Sequence, residues 1–209
     1  KWGNHDLYWG RPLKSILALF DKKIIEFKLN HLHSSNKTFT DKDLEDEVKS
    51  FNDFKSYIKF FKQKGVIIDQ NKRKEFITKE INKVTNQKKI HINFNEKLIE
   101  EITNIVEKPK ILVCEFNKKF LEIPQEILII TMQHHQKYFP TFDNKNKITN
   151  NFIVVADCKD KKGLVKLGNQ NVVDARLADA EFFWNRNKSQ NLVKQVSKLK
   201  KINYFKGLG

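Results

Sequence analysis

The segment at residues 171–184 constrains the fold most, because its sequence is patterned for a single amphipathic helix. Its apolar residues are spaced by four, three and four positions and therefore share one helix face: Val173, Leu177, Ala180 and Trp184. Three adjacent rings at its end can each bury roughly 150–250 Å². We predict a central packing helix with an internal apolar side and no reaction of its own. Arg176 and Asp179 can pair along its polar edge.

The length and composition indicate one sizeable domain, or a main domain with an appended hairpin or helix pair. The chain has 209 residues, 39% of them hydrophobic. No apolar run reaches the roughly 18 residues needed to span a bilayer, and the first residues lack the apolar core of a signal peptide. We therefore expect a cytoplasmic location without membrane contact. Cys114 and Cys158 lie in apolar, strand-like runs, and we expect buried free thiols and no disulfide.

The net charge of +15 suggests a polyanionic partner. This inference is weakened because 36 of the 40 basic residues are lysine, which is also typical of a general drift in composition. Residues 58–89 hold ten basic and three acidic residues, and residues 185–209 hold seven basic residues and no acid. Each concentration is either a solvated face or a contact for nucleic-acid backbone.

The order of predicted elements favours an α+β fold of mixed sheets and packed helices over a regular doubly wound sheet. We expect a core domain at residues 1–160 and a helical C-terminal segment at residues 161–209 that leads into a following domain. A short helical turn is expected at 163–168 and a polar loop at 34–36. Helices are predicted at 53–64, 71–85, 95–109 and 127–134, and strands at 12–20, 24–29, 66–69, 111–116, 138–142 and 152–156.

Two adjacent histidines, His134 and His135, lie in the densest polar cluster of the sequence and are candidates for chemistry. They could bind metal or transfer protons. No third ligand stands at helical spacing, however, and no Cys-x-x-Cys or His-Glu-x-x-His motif supports zinc. The alternative is that both rings interact with carbonyl groups at the end of a helix.

The remaining motifs provide no catalytic constellation. Gly163 and Gly168 do not form a phosphate-binding loop, and there is no Gly-x-Ser-x-Gly nucleophile elbow. The acidic residues of the central helix could form a carboxylate site, but surface charges with Arg176 as a partner explain them equally: Asp174, Asp179 and Glu181.

A run at residues 132–139, Met-Gln-His-His-Gln-Lys-Tyr-Phe, resembles the Thr-Met-x-x-His-Gln-Lys-Tyr-Phe motif of the bacterial glycyl-tRNA synthetase beta subunit family. Residues 168–183 are similar to that family's Gly-Asn-Glu and Ala-Arg-Leu-Ala-Asp-Ala-Glu-Phe-Phe motifs. Matches to its Arg-Trp-Gly, Arg-Pro and Phe-Leu-x-Leu-Pro motifs occur in the same order. One family element, Arg-Gly-His-Arg-Phe, is absent from residues 36–42.

The resemblance implies an internal piece of one subunit of a heterotetrameric enzyme that joins glycine to its tRNA. ATP would be used on the alpha subunit, with no cofactor in this segment, and the partners would be the tRNA for glycine and the alpha subunit. The fold would be similar to the editing-module domain of the phenylalanyl-tRNA synthetase beta subunit. Glycine is the smallest amino acid, so larger ones can be excluded by size without a second sieve.

We therefore expect a noncatalytic scaffold that faces tRNA. Basic residues are expected to contact phosphates: Lys137, Arg176, Arg186, Lys194, Lys198, Lys200 and Lys201. Two alternatives stay open. One is a hydrolytic editing-like domain that uses His134 or His135 with Tyr138, and the other is a spacer at the interface between subunits.

Overall fold

The computed structural model describes residues 4, 6–10, 13–40, 47–191, 193, 196 and 198. The chain divides into two compact units, Lys1–Asp69 and Gln70–Gly209. The expected boundary after residue 160 falls inside the second unit. Mixed helices and small sheets confirm the α+β class.

Short strands dominate the first unit. β2 (Leu19–Phe20) and β3 (Lys23–Ile24) form a hairpin at the junction of the strands predicted at 12–20 and 24–29. Its turn residues Asp21 and Lys22 have φ values of 45° and 65°. Two positive φ values are typical of the type I′ turn that suits a two-residue hairpin. The other strands are β1 (Ile16–Leu17), β4 (Lys28–Leu29), β5 (Leu32–Ser35), β6 (Lys37–Phe39) and β7 (Val48–Ser50).

The predicted loop at residues 34–36 is wrong in its first two residues, which belong to β5 and pair in parallel with β1. Ser34 satisfies its hydroxyl locally: the Oγ atom accepts from Phe27 N at 2.8 Å and donates to Ile25 O at 2.7 Å. A serine that finds backbone partners in this way is tolerated in a strand. Polarity alone therefore misplaced the loop.

α1 (Phe54–Gln63) begins where the sequence predicts, because Asp53 accepts a hydrogen bond from Ser56 N at 2.7 Å. At its other end Gly65 has a φ of 83°, and Val66 N donates to Phe61 O at 2.9 Å. This closure is of the Schellman type. The strand predicted at residues 66–69 is wrong, since the backbone of Val66 is used to close the helix.

The second unit is built on the antiparallel sheet β8-β10-β9. Its strands are β8 (Lys110–Glu115), β9 (Phe139–Phe142) and β10 (Ile148–Ala156), and β10 is central. Helices α2 (Gln70–Lys88), α3 (Glu96–Ile105), α4 (Gln125–Ile130) and α5 (Leu164–Lys188) surround it. A 3-10 helix, Lys118–Glu122, precedes α4, and a π-helix, Thr131–His135, follows it.

Alternating residues of β10 face two separate cores. Phe152 packs with α4 and α5 residues, whereas Ile153 packs with α2 and α3 residues. This alternation is the period of two expected of a strand. The sheet therefore lies between α2 and α3 on one face and α4 and α5 on the other.

The helix predicted at residues 171–184 is part of the 25-residue α5, which also includes most of the separate turn expected at 163–168. Val173 and Leu177 are buried, as predicted. The prediction of an entirely internal apolar side is wrong at its end, because Phe182, Phe183 and Trp184 are 60%, 55% and 36% exposed. At about 1.5 Å per residue, α5 is about 37 Å long. It therefore extends beyond the six-residue strand β8 on which it packs.

Two further features bear on the sequence predictions. Both cysteines are free thiols as predicted, but only Cys114 is buried, and Cys158 is half-buried. Within the described ranges, no helix combines the length and apolar character needed to cross a bilayer.

Candidate nucleic-acid interface

The N-terminal end of α5 is fixed by a carboxylate. Asp160 accepts hydrogen bonds from Val165 N at 3.1 Å and Lys166 N at 3.0 Å, which satisfies two backbone donors of the first helical turn. Gly163 immediately precedes the helix with a φ of 72°, where a glycine avoids strain. These contacts fix the direction in which α5 presents its side chains.

Two acidic residues of α5 are engaged with the segment around the 3-10 helix. Asp174 accepts from Asn117 N at 3.0 Å, and Glu181 lies 4.0 Å from Lys119 Nζ. The carboxylate site considered for these residues is therefore not assembled here, because two of its members face the 3-10 segment as local partners. In the described part of α5, no ion pair joins Arg176 to Asp179 at 4.0 Å or less, although their spacing allows one.

The arginines of α5 remain exposed. Arg176 is exposed in the middle of the helix and Arg186 in its last turn. Ten residues separate them, which is about 15 Å along the helix axis. Lys198 is also exposed, whereas Lys194, Lys200 and Lys201 lie outside the described residues. Three of the residues predicted to contact phosphates are thus exposed: the two arginines, which share one helix, and Lys198.

Lys137 occupies a different setting from the other predicted residues. Its Nζ atom lies 2.9 Å from Glu101 Oε1, so part of its charge is already neutralised. It also has a φ of 60°, which turns the chain from the π-helix towards β9. The positive charge of Lys137 is therefore less available to a phosphate than the charges of Arg176 and Arg186.

The histidine pair lies on the π-helix, with ring centroids 6.5 Å apart, and both residues are exposed. Tyr138, by contrast, is buried and stacks near Phe152 at 5.3 Å between centroids. Burial raises the pKa of the Tyr138 phenol, and its hydroxyl donates to Asn169. Over the described ranges, no group of three or more His, Cys, Asp or Glu is arranged to hold a metal ion.

A second basic surface lies on α2, which was not among the predicted site residues. This helix has six basic and two acidic residues. Arg73 is tied to α3, since its Nε atom donates to Thr103 O at 2.8 Å, and Lys74 pairs with Glu96. Lys79 and Lys83 are exposed. The excess of charge at residues 58–89 pointed to this helix, but the general abundance of lysine obscured it.

The comparisons with known proteins agree with the motifs. A family model described as glycyl-tRNA synthetase beta subunit matches residues 1–209. A relative from Dictyoglomus turgidum is 37% identical over the whole chain, and one from Clostridioides difficile is 35% identical. A third, from Rickettsia akari, is 32% identical. All three are named glycine–tRNA ligase beta subunit.

The class of protein is therefore that of the tRNA ligase subunits. The chain belongs to the glycyl-tRNA synthetase beta subunit family, which confirms the resemblance drawn from its motifs. It covers only part of such subunits: 30% of the Dictyoglomus turgidum and Clostridioides difficile relatives and 32% of the Rickettsia akari relative.

Proposed function

We propose that this chain serves the beta subunit of a tetrameric, cytoplasmic glycine–tRNA ligase as a noncatalytic scaffold that faces tRNA. Family membership over residues 1–209 supports this assignment. The partners are the tRNA for glycine and the alpha subunit, which binds and uses ATP. The proposal includes an architecture similar to the editing-module domain of the phenylalanyl-tRNA synthetase beta subunit.

The arrangement of charge on α5 carries the tRNA-facing part of the proposal. Its carboxylates Asp174 and Glu181 are engaged with the 3-10 segment, while Arg176 and Arg186 extend into solvent. An exposed arginine can neutralise a phosphate and release counterions, which favours binding at low salt. The exposed lysines of α2 add to the positive field of the same unit.

The noncatalytic part is supported by what the candidate hydrolytic residues already do. The Tyr138 ring is packed in the core and its hydroxyl is bonded to Asn169, whereas His134 and His135 are exposed. A general acid or base must reach the same substrate atom as its partner, and these groups differ in accessibility. A glycine pocket can also exclude larger amino acids by size, which lessens the need for a second site that removes wrong amino acids from the tRNA.

Charge reversal tests the tRNA-facing role. In the complete subunit assembled with the alpha subunit, Arg176→Glu and Arg186→Glu are expected to weaken binding of the tRNA for glycine. Lys145→Glu, a change of the same charge in the exposed turn before β10, serves as the matched control and is expected to bind normally. Equal affinities for all three variants and the parent protein would remove the α5 surface from the proposal.

A hydrolytic function is the second candidate, because the histidine pair lies on a π-helix and such helices are frequent at functional sites. His134→Ala and His135→Ala should then abolish deacylation of tRNA carrying a wrong amino acid. We expect no deacylation above background from the parent subunit. Turnover that depends on either histidine would replace the noncatalytic assignment.

A spacer at the subunit interface is the third candidate, and the exposed rings at the end of α5 favour it. Aromatic residues are enriched in protein interfaces. Under this alternative, Phe182→Ala and Phe183→Ala would release the alpha subunit without changing tRNA affinity. Co-elution of the two subunits in size-exclusion chromatography, measured beside tRNA binding, separates this candidate from the first.

A further inference from the structure

Phe94 lies in the loop between α2 and α3 and is held outward by a fixed backbone. Its side chain is 50% exposed. On one side of it, His91 and Phe142 exchange backbone hydrogen bonds at 3.0 and 2.8 Å. On the other side, Asn95 caps α3 by accepting from Leu98 N at 3.2 Å. The ring therefore projects from an anchored loop and not from a free one.

Two clefts meet at this ring. One has a volume of about 450 Å³ and the other of about 660 Å³, and Phe94 and Glu96 line both. These volumes lie within the roughly 300–1,000 Å³ range of small-molecule sites. A flat ligand thus has room beside the ring in each cleft.

The smaller cleft brings amide side chains beside the ring. Asn93 belongs to the same loop, and Gln133 comes from the π-helix. Lys97, which is exposed on α3, stands at its rim. Asparagine and glutamine amides each offer a donor and an acceptor and can pair with the edge of a nucleobase.

The larger cleft is bounded by one face of α2. Glu75, Thr78, Lys79 and Asn82 follow one another at steps of three, one and three residues, which keeps them on the same side of the helix. The stem of Lys79 provides apolar surface for a ring while its ammonium group remains in water, whereas the ammonium group of Lys74 is paired with Glu96. Lys79 is exposed and available to a phosphate.

The walls combine apolar surface with amides and with charges of both signs, because Glu96 lines both clefts and Glu75 lines the larger one. This mixture suits an uncharged base, with its phosphates at the exposed lysines, better than an apolar protein segment. An apolar partner would take the amides and ammonium groups from water without replacing their hydrogen bonds. An unpaired nucleotide instead offers a flat π-face, a base edge with donors and acceptors, and a phosphate. Each has a counterpart here in the Phe94 ring, the amides and the lysines.

We propose that Phe94 stacks on an unpaired base of the bound tRNA, with Asn93 and Gln133 on the base edge and Lys79 and Lys97 near phosphates. This inference rests on the proposed tRNA-facing function and assigns it a second contact, separate from α5. Stacking of this type tolerates any base, so Phe94 would add affinity more than sequence preference.

The test compares aromatic and charge variants in the complete subunit assembled with the alpha subunit. Phe94→Ala should weaken binding of the tRNA for glycine by about 5- to 150-fold, the loss expected for one base–aromatic stack. The slope of log Kd against log salt should not change, since no charge is lost. Lys79→Gln and Lys97→Gln should each make the slope shallower by about 0.7.

Two controls separate stacking from a general loss of structure. Phe94→Tyr keeps a ring and should restore binding to within about twofold of the parent protein, because it keeps the π-face that stacking uses. Phe54→Ala removes a ring of the other unit that is 74% exposed, against 50% for Phe94, and should leave affinity unchanged. A short single-stranded RNA should show the Phe94→Ala loss, whereas a duplex RNA of the same length should not.

Each contrary outcome is distinct. Unchanged tRNA affinity in Phe94→Ala, with weaker binding in Arg176→Glu, would overturn the stacking inference and leave the proposed function. No effect from either variant would overturn both. Release of the alpha subunit by Phe94→Ala at unchanged tRNA affinity would show that a protein covers this ring. Failure of Phe94→Tyr to restore binding would show that Phe94 acts through packing.

Discussion

The hydroxyl of Tyr138 donates to Asn169 Oδ1 at a distance of 2.5 Å and joins the segment after the π-helix to the first turns of α5. Asn169 in turn donates through Nδ2 to Val165 O at 2.6 Å. The bond therefore connects the most distinctive motif of the chain to its longest helix. It gives Tyr138 a structural role.

Replacing Tyr138 with phenylalanine should lower the free energy of unfolding by about 1–2 kcal/mol, because the Asn169 oxygen loses its donor while partly buried. The ring packing against Phe152 would be retained. Urea denaturation of the Tyr138→Phe, Asn169→Leu and Tyr138→Phe/Asn169→Leu variants measures this loss and the coupling between the two residues. A loss in the double variant equal to the sum of the two single losses would show that the residues act independently.

The two ends of α5 should respond differently to truncation. Leu177→Ala should lower the free energy of unfolding by about 2–5 kcal/mol, since Leu177 is fully buried and its removal leaves a cavity. Phe182→Ala should change it by less than about 0.5 kcal/mol, as Phe182 is 60% exposed. Thermal unfolding of both variants provides the comparison. Similar losses in both would mean that the end of α5 is packed.

The thiol groups should differ in reactivity. Burial raises the pKa of the Cys114 thiol from 9.0 to about 11, which keeps it protonated and unreactive. Cys158 is only partly buried. A thiol reagent at pH 8 should therefore modify Cys158 first and Cys114 only on unfolding. Mass spectrometry of the modified peptides identifies the site, and equal labelling of both cysteines in the folded protein would contradict the buried position of Cys114.

The raised pKa of Cys114 also predicts a dependence of stability on pH. As pH rises above about 9, the unfolded chain loses the thiol proton while the folded chain keeps it until about pH 11. The contribution of the Cys114 thiol to the free energy of unfolding is therefore fully present below pH 9 and decreases between pH 9 and 11. Denaturation of Cys114→Ala over the same range should show a smaller decrease. Identical pH profiles would contradict the assignment.

Local signals in the sequence predicted the starts of α1, α2 and α3 to within one residue. Asp53 and Asn95 each accept a backbone hydrogen bond at the start of a helix, as their positions before apolar-periodic runs predict. The strands of the β9–β10 hairpin were likewise predicted from two apolar runs around a polar turn at residues 143–146, although β10 begins at Ile148 and not at Phe152. These features depend on neighbours within a few residues, which the sequence itself displays.

Tertiary context determined what local patterns could not. The apolar side of α5 continues to Trp184, but the sheet beneath it ends earlier, so the sequence could not show that the last rings are exposed. Similarly, Ser34 belongs to a strand because its hydroxyl bonds to the backbone of Phe27 and Ile25, seven and nine residues earlier in the chain. The cleft at Phe94 combines residues from α2, α3 and the π-helix, and no spacing in the sequence indicates that they meet.

The salt dependence of tRNA binding tests the proposal that basic side chains of this chain contact tRNA phosphates. We would measure Kd from low to high salt for the assembled parent enzyme and for Arg176→Gln, Arg186→Gln and Lys198→Gln. Each substitution should make the slope of log Kd against log salt shallower by about one, because one counterion-releasing contact is lost. Slopes identical to that of the parent enzyme in all three variants would contradict it.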